Sequence, residues 1–265
     1  MAKLALTFLG TGTSNGVPVI GCNCPVCLSQ DSKDNRLRTS VQLQTEQICI
    51  VIDTPPDFRI QFLRENIQSV DAVLYTHAHA DHILGFDDLR HFCERKDLEL
   101  PIYGIPETII GIKKIFPYAF EKIATPLKGG LSYVQPSFRE IREEFKLGDL
   151  QIVPVNLPHG EVTTVGFVFH HAGRKALAYY TDCSYLPKKA KIAAKGVEVL
   201  VIDALRYTPP HPTHLTVQGA LKAAKGLDSR TCYFTHMGHE LKYAKMQSHL
   251  PSGFFPAYDG LRVYI

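Results

Sequence analysis

The 265-residue chain has no run of like charge and no apolar window near the ~18 residues that a membrane helix needs. The first absence excludes the clustered Lys and Arg of a nucleic-acid footprint, and the second excludes a membrane span, so no membrane partner is expected. The opening residues, Met1-Ala2-Lys3-Leu4-Ala5-Leu6-Thr7-Phe8, alternate like a strand and turn polar too quickly for a signal peptide. A soluble, cytoplasmic protein is expected. Internal repeats and low-complexity tracts are also missing. Cysteine does not come in the even number of a disulfide framework: there are seven, three of them within Cys22-Asn23-Cys24-Pro25-Val26-Cys27. In a cytoplasmic chain such a cluster points to metal rather than to disulfides.

What the chain does have is enough apolar material for a large core, 45% hydrophobic against 21% charged residues. We read one domain over residues 1–265, with 94–148 as an inserted segment able to cover a site. The net charge of +3 and a pI near 8.4 are a mild basic bias that lets a site attract anions.

The stretch densest in coordinating side chains is Thr76-His77-Ala78-His79-Ala80-Asp81-His82, set directly after the apolar run Ala72-Val73-Leu74-Tyr75. His77 and His79 are two apart, so a small bend at a strand exit turns both imidazoles to one side. Asp81 and His82 are adjacent, which suits them to a second cation nearby rather than to the same one. Imidazole with carboxylate is a ligand set for zinc, manganese, iron or nickel rather than calcium.

Other polar residues follow strand-like runs in the same way: Asp53 after 48–52, His159 in a loop after 150–155, Asp182 after 176–181, Asp203 after 199–202 and His236 after 232–235. Short apolar runs that each deliver a polar residue at one end predict a sheet with its site along one edge. Helical patterns fall at about 58–65, 87–96, 107–120, 188–195, 217–225 and 241–250. Strands with helices outside them argue for an α/β fold of face-to-face sheets covered by helices. Asp53 and Asp203 are either acceptors that orient ligand imidazoles or ordinary turn and capping residues.

Gly10-Thr11-Gly12-Thr13-Ser14-Asn15-Gly16 resembles a phosphate loop, but its third glycine falls one place late for a dinucleotide fingerprint and no Gly-Lys-Ser/Thr follows. It reads as a tight turn bringing backbone close to the site. His91, His170, His171, His249, Cys49, Cys93, Cys183 and Cys232 stand alone and read as surface or packed side chains.

Taken together, His77-Ala-His79-Ala-Asp81-His82, His159 in Leu-Pro-His-Gly, Asp182 in Tyr-Thr-Asp-Cys and His236 in Phe-Thr-His-Met resemble the ligand pattern of the metallo-β-lactamase superfamily. The resemblance implies an αββα sandwich of two packed mixed β-sheets flanked by helices, with a dinuclear site at one sheet edge. It implies His77, His79 and His159 on one metal, Asp81, His82 and His236 on the other, and Asp182 bridging. Two such ions would share and acidify a water and clamp an anionic substrate.

Three further features narrow the chemistry. Cys22, Cys24 and Cys27 are one donor short of a closed tetrahedral zinc site, and His239, three residues after His236, can complete it; packed apolar thiols are the alternative. His214, in a polar loop before the 217–225 helix, is placed to serve as a general acid or a phosphate contact. With Ala257-Tyr258-Asp259-Gly260-Leu261, these features resemble the phosphoribosyl 1,2-cyclic phosphate phosphodiesterases of the carbon-phosphorus lyase pathway. That likeness implies cyclic phosphodiester hydrolysis, structural zinc on Cys22, Cys24, Cys27 and His239, a manganese or other transition-metal pair, catalytic roles for Asp81, Asp182 and His214, and a homodimer. Rival readings are a tRNA 3′-processing endonuclease, a thioesterase or lactonase, and a non-catalytic metal-binding accessory protein of cofactor biosynthesis. The first lacks a basic arm, the second has no use for the cysteines, and the third has no need of both metals.

Overall fold

The computed structural model describes residues 3–96, 99–120 and 134–265. Short runs rich in Val, Ile, Leu and aromatics form strands because branched side chains pack well on a pleated surface. The first six are β1 (Ala5–Gly10), β2 (Ser40–Gln44), β3 (Cys49–Ile52), β4 (Ala72–Leu74), β5 (Leu100–Gly104) and β6 (Pro136–Glu140). Then come β7 (Phe145–Leu147), β8 (Leu150–His159), β9 (Val162–His171), β10 (Arg174–Tyr180), β11 (Val199–Asp203), β12 (Thr231–Thr235), β13 (Phe254–Pro256) and β14 (Arg262–Tyr264). Among the described residues they make two seven-stranded sheets, ordered β14-β1-β2-β3-β4-β5-β6 and β13-β12-β11-β10-β9-β8-β7. Both are mixed: β3 to β6 and β10 to β13 run parallel, while the hairpin-linked strands are antiparallel.

Period-two alternation sorts each strand between two cores. Ile50 and Ile52 of β3, Leu177 and Tyr179 of β10, and Val199 and Val201 of β11 point into the layer between the sheets. Val51 faces outward under α1 (Phe58–Glu65) and α4 (Pro106–Ile115). Ala178, Tyr180, Leu200 and Ile202 face the opposite outer layer, beneath α5 (Lys188–Ala194) and α6 (Val217–Lys225). The remaining helices are α2 (Ala80–Ile83), α3 (Arg90–Lys96) and α7 (Tyr243–His249). The architecture is therefore the expected αββα sandwich.

Several boundaries differ from the sequence reading. The helix expected over 107–120 stops at Ile115 and restarts as a 3-10 turn at Pro117, because the proline has no N–H and disfavours helical backbone at Phe116. The one expected from residue 87 begins as a 3-10 turn, Phe86–Leu89, before α3. His159 is the last residue of β8, not part of a loop. β7 pairs β8 only as far as Ile152, so beyond it β8 is an edge where Pro154 and Pro158 are tolerated, while β9 continues to pair through His159. Of the segment 94–148, read as a cover, the described parts supply β5, α4, β6 and β7; residues 97, 98 and 121–133 lie outside the described residues. No helix among the described residues is long and apolar enough to cross a membrane.

Candidate metal centre

Three residues that follow strands turn the chain through left-handed backbone: Asp53 after β3 (φ 64°), Asp182 after β10 (φ 51°) and His236 after β12 (φ 57°). Asp and His tolerate this region better than branched residues, and such strain gathers at functional sites. The turns, with the exit of β4 and the ends of β8 and β11, bring their side chains to one edge of the sandwich. The Gly10–Gly16 stretch meets them as a tight turn, with Thr13 N–H donating to the Met237 carbonyl at 3.2 Å and Ser14 lining the same cleft.

His77 Nε2 lies 2.9 Å from His79 Nδ1, and His159 Nε2 lies 3.3 Å from that same atom. A second group joins Asp81, His82 and His236. Asp182 stands between the groups: its Oδ2 is 3.4 Å from His82 Nε2, and its Oδ1 is 3.2 Å from His236 Nε2 and 3.9 Å from His159 Nε2. All seven sequence-singled donors therefore meet, although Asp182 sits closer to the second group than to the first.

Partners behind the donors fix their orientation. Buried Asp53 accepts from Thr76 N–H at 2.8 Å and from His82 Nδ1 at 2.7 Å, so His82 Nε2 faces the cluster. His159 Nδ1 donates to the Thr213 carbonyl at 3.0 Å. Asp203 Oδ2 accepts from His214 Nδ1 at 2.9 Å, and its Oδ1 lies 3.9 Å from His236 Nδ1. Both Asp53 and Asp203 thus orient imidazoles. His214 stacks on His236 with ring centroids 4.7 Å apart.

The electrostatics divide the cluster. Burial pushes His77 and His159 below the usual imidazole range, leaving neutral rings with lone pairs to donate. Around the other group burial is outweighed. Asp182 and Asp81 hold His82 well above its ordinary value, Asp182 holds His236 at about 9, and His236 and His82 hold Asp182 well below the carboxylate range. Against its own burial, Asp81 is lowered by His82. His82 Nε2 and His236 Nε2 are nevertheless buried without a hydrogen-bond partner. Converging lone pairs on one side, and carboxylates around unpartnered imidazole nitrogens on the other, fit two divalent cations, whose binding releases such protons.

A separate cluster lies in the 22–27 loop. Cys22, Cys24 and Cys27 Sγ lie 3.2, 3.5 and 3.6 Å from His239 Nδ1. Tetrahedral zinc, with Zn–S near 2.3 Å and Zn–N near 2.0 Å, would set sulfur and nitrogen about 3.5 Å apart. A hydrogen bond from the Cys27 amide draws Cys24 down to about 6, while burial pushes Cys27 up to about 11. The loop is tied to the 238–243 segment through fully buried Arg36, which donates to the Gly238 and Leu241 carbonyls and pairs with Asp34 at 3.3 Å. Asp34 in turn accepts from Ser29 Oγ and Tyr243 N–H, both at 2.7 Å.

The cleft over the main cluster measures about 430 Å³ and is lined by the donors His79, Asp81, His159, Asp182 and His236 together with Ser14, Gly160, Glu161, Val162, Thr213 and His214. Sequence reasoning passed over Glu161 and Thr213; their only signal was proximity to Leu-Pro-His-Gly and to His214. The solitary residues behave as expected of packed or surface groups where described: His171 meets Asp149 at 3.0 Å, His249 meets the Lys245 carbonyl at 2.7 Å, and Cys183 and Cys232 are packed in the outer core.

Residues 49–237 match the beta-lactamase superfamily domain. A solved diphosphatase of the PhnP family superposes with a TM-score of 0.90 at 38% identity, covering 100% of this chain and 98% of that one. The zinc-bound PqqB of Methylobacterium extorquens gives a TM-score of 0.79 at 18% identity, over 98% of this chain and 99% of that one, a likeness of fold alone. An octanoyltransferase of Porphyromonas gingivalis is 35% identical over 264 residues, which are 97% of this chain but 51% of that protein. The chain therefore spans about half the length of that curated relative.

Proposed function

The chain belongs to the beta-lactamase superfamily domain family, and on that premise we propose that it is a hydrolase with a dinuclear metal site that opens phosphodiesters, cyclic ones included. The observation that carries this reading is the meeting of seven metal donors at one sheet edge, with five of them and the Asp203-bound His214 lining the same cleft. The full-length likeness to a diphosphatase of the PhnP family supports chemistry at a phosphorus ester.

His77, His79 and His159 would hold one cation, Asp81, His82 and His236 the other, with Asp182 between them. Bound there, two divalent ions supply Lewis acidity toward phosphoryl oxygens and bring a water into the range where it ionises near neutral pH. Water adds to phosphorus, one ester P–O bond breaks, and the departing alkoxide takes up a proton. His214 is placed to deliver that proton from Nε2, because Asp203 holds Nδ1 and so fixes the ring. Asp53 and the Thr213 carbonyl keep His82 and His159 turned toward the cleft. Cys22, Cys24, Cys27 and His239 would hold a structural zinc, which would anchor the segment carrying His236.

The test is a substrate panel on metal-loaded protein: bis-p-nitrophenyl phosphate, a ribose cyclic phosphate, an alkyl diphosphate, a tRNA precursor and a thioester. Turnover of the diesters is expected. Activity on the thioester alone, or none with metals bound, would overturn the reading.

A further inference from the structure

The wall of the cleft has an unusual charge balance for a site that takes phosphate esters. Among the described residues its lining holds three carboxylates, Asp81, Asp182 and Glu161, and neither lysine nor arginine. Asp81 and Asp182 belong to the donor cluster, where cations would offset them. Glu161 does not. It has no charged partner among the described residues and is exposed. Arg38, whose Nε donates to the carbonyl of the lining residue Ser14 at 3.0 Å, is committed to Asp57, with Nη1 at 2.9 Å from its carboxylate.

Glu161 is also held in place. Gly160 and Glu161 are the two-residue turn between β8 and β9, closed by the His159–Val162 pair. Gly160 has φ +64°, the backbone that glycine supplies at the first turn position, and an added Cβ would lie 2.9 Å from Thr213 Cγ2. The turn is therefore fixed against the 211–214 loop on one side and continuous with the donor His159 on the other. A carboxylate carried on this turn keeps a negative charge at the mouth of the site.

We propose that Glu161 is a specificity-determining residue that makes the cleft select singly charged phosphodiesters and reject dianionic phosphate monoesters and terminal phosphates. The inference rests on the phosphodiesterase reading and deepens it. A diester carries one negative charge, which the cations can attract past one carboxylate. Hydrolysis adds water across a P–O bond and leaves a monoester that ionises a second time near neutral pH. The same carboxylate then favours departure of the product. Repulsion of this kind is a through-space effect of unit charges near the surface, so it weakens as salt is added.

The experiment compares wild type, Glu161→Gln and Glu161→Lys in the ratio of kcat/KM for bis-p-nitrophenyl phosphate over p-nitrophenyl phosphate, at low and high ionic strength. Glu161 is an exposed turn residue, so both variants should fold. Glu161→Gln should lower the ratio about tenfold at low salt, Glu161→Lys should lower it further, and the wild-type ratio should fall toward that of Glu161→Gln as salt rises. Calorimetric binding of phenyl phosphate and diphenyl phosphate runs in parallel, with the monoester expected to tighten in both variants. If wild type turns over neither ester, the phosphodiesterase reading fails while the binding comparison still decides the role of Glu161. Equal ratios and equal monoester affinities in all three proteins would overturn the proposal.

Discussion

Asp203 Oδ2 accepts the Nδ1 hydrogen of His214 at 2.9 Å, while the other oxygen of the same carboxylate lies 3.9 Å from Nδ1 of His236. One fully buried side chain at the end of β11 thus orients the group placed to protonate the leaving alkoxide and sets its negative charge beside a metal donor. Asp203→Asn keeps one acceptor for His214 but turns an amide toward His236. Turnover is expected to fall about 10- to 100-fold with weaker metal binding, the usual range for such partners. Steady-state kinetics with a metal titration check this, and unchanged values for both would remove Asp203 from its role.

Removal of His214 itself separates proton transfer from metal binding. His214→Ala should lower kcat by roughly 10²- to 10⁴-fold on substrates with a poor leaving group, while metal content, measured by elemental analysis, stays at the wild-type value. Loss of metal together with activity would make His214 a scaffold residue.

The cysteine cluster predicts a third metal. Protein purified without chelator should carry three ions per chain, and Cys24→Ala should carry one fewer and melt at a lower temperature. Two ions in the wild type, with none lost on substitution, would take the structural zinc away.

Arg36 links the cysteine loop to the segment that bears His239. Its guanidinium is fully buried against Asp34 and two carbonyls. Arg36→Met keeps the aliphatic stem but removes the positive charge opposite buried Asp34 and the guanidinium donor to the Leu241 carbonyl, with an expected cost of about 3 to 5 kcal/mol in urea unfolding. A change below about 1 kcal/mol would mean that the buried pair contributes little.

Asp259 sets a pH dependence away from the metal donors. Burial raises its carboxyl from 3.8 to about 6, despite hydrogen bonds from Leu37 N–H and Thr11 Oγ1. Because the folded value lies above the unfolded one, the stability of the neutral form is fully present below about pH 4 and is lost as pH rises through 6. Asp259→Asn can keep both contacts, its oxygen toward Leu37 and its amide toward the Thr11 hydroxyl. The difference in unfolding free energy between the two proteins should therefore shift by about 2 to 3 kcal/mol between pH 4 and pH 7, in favour of the variant at the higher pH. A constant difference across that range would show that Asp259 is not displaced.

Much of the fold was legible because the central strands are short apolar runs and the polar residues stand at their ends. α1 and α6 fall where periodicity placed them, over 58–65 and 217–225. Pro117 broke the helix pattern at a point the apolar spacing conceals, and the edge position that lets Pro154 and Pro158 remain in β8 depends on how short β7 is. Glu161 escaped notice because a lone glutamate in a turn looks like any solvated residue until the opposite wall of the cleft is known.

The sequence by itself determined the donors: their chemical type, their order and their places after apolar runs follow from local pattern, since a strand delivers its terminal residue to a sheet edge whatever packs around it. The tertiary structure decided the partnerships. His239 meets cysteines more than 200 positions away, Asp203 binds His214 and stands beside His236, and Glu161 faces a wall without lysine or arginine among the described residues. These depend on which loops the packing of two sheets brings together, and that is a property of three-dimensional distance that no local spacing encodes.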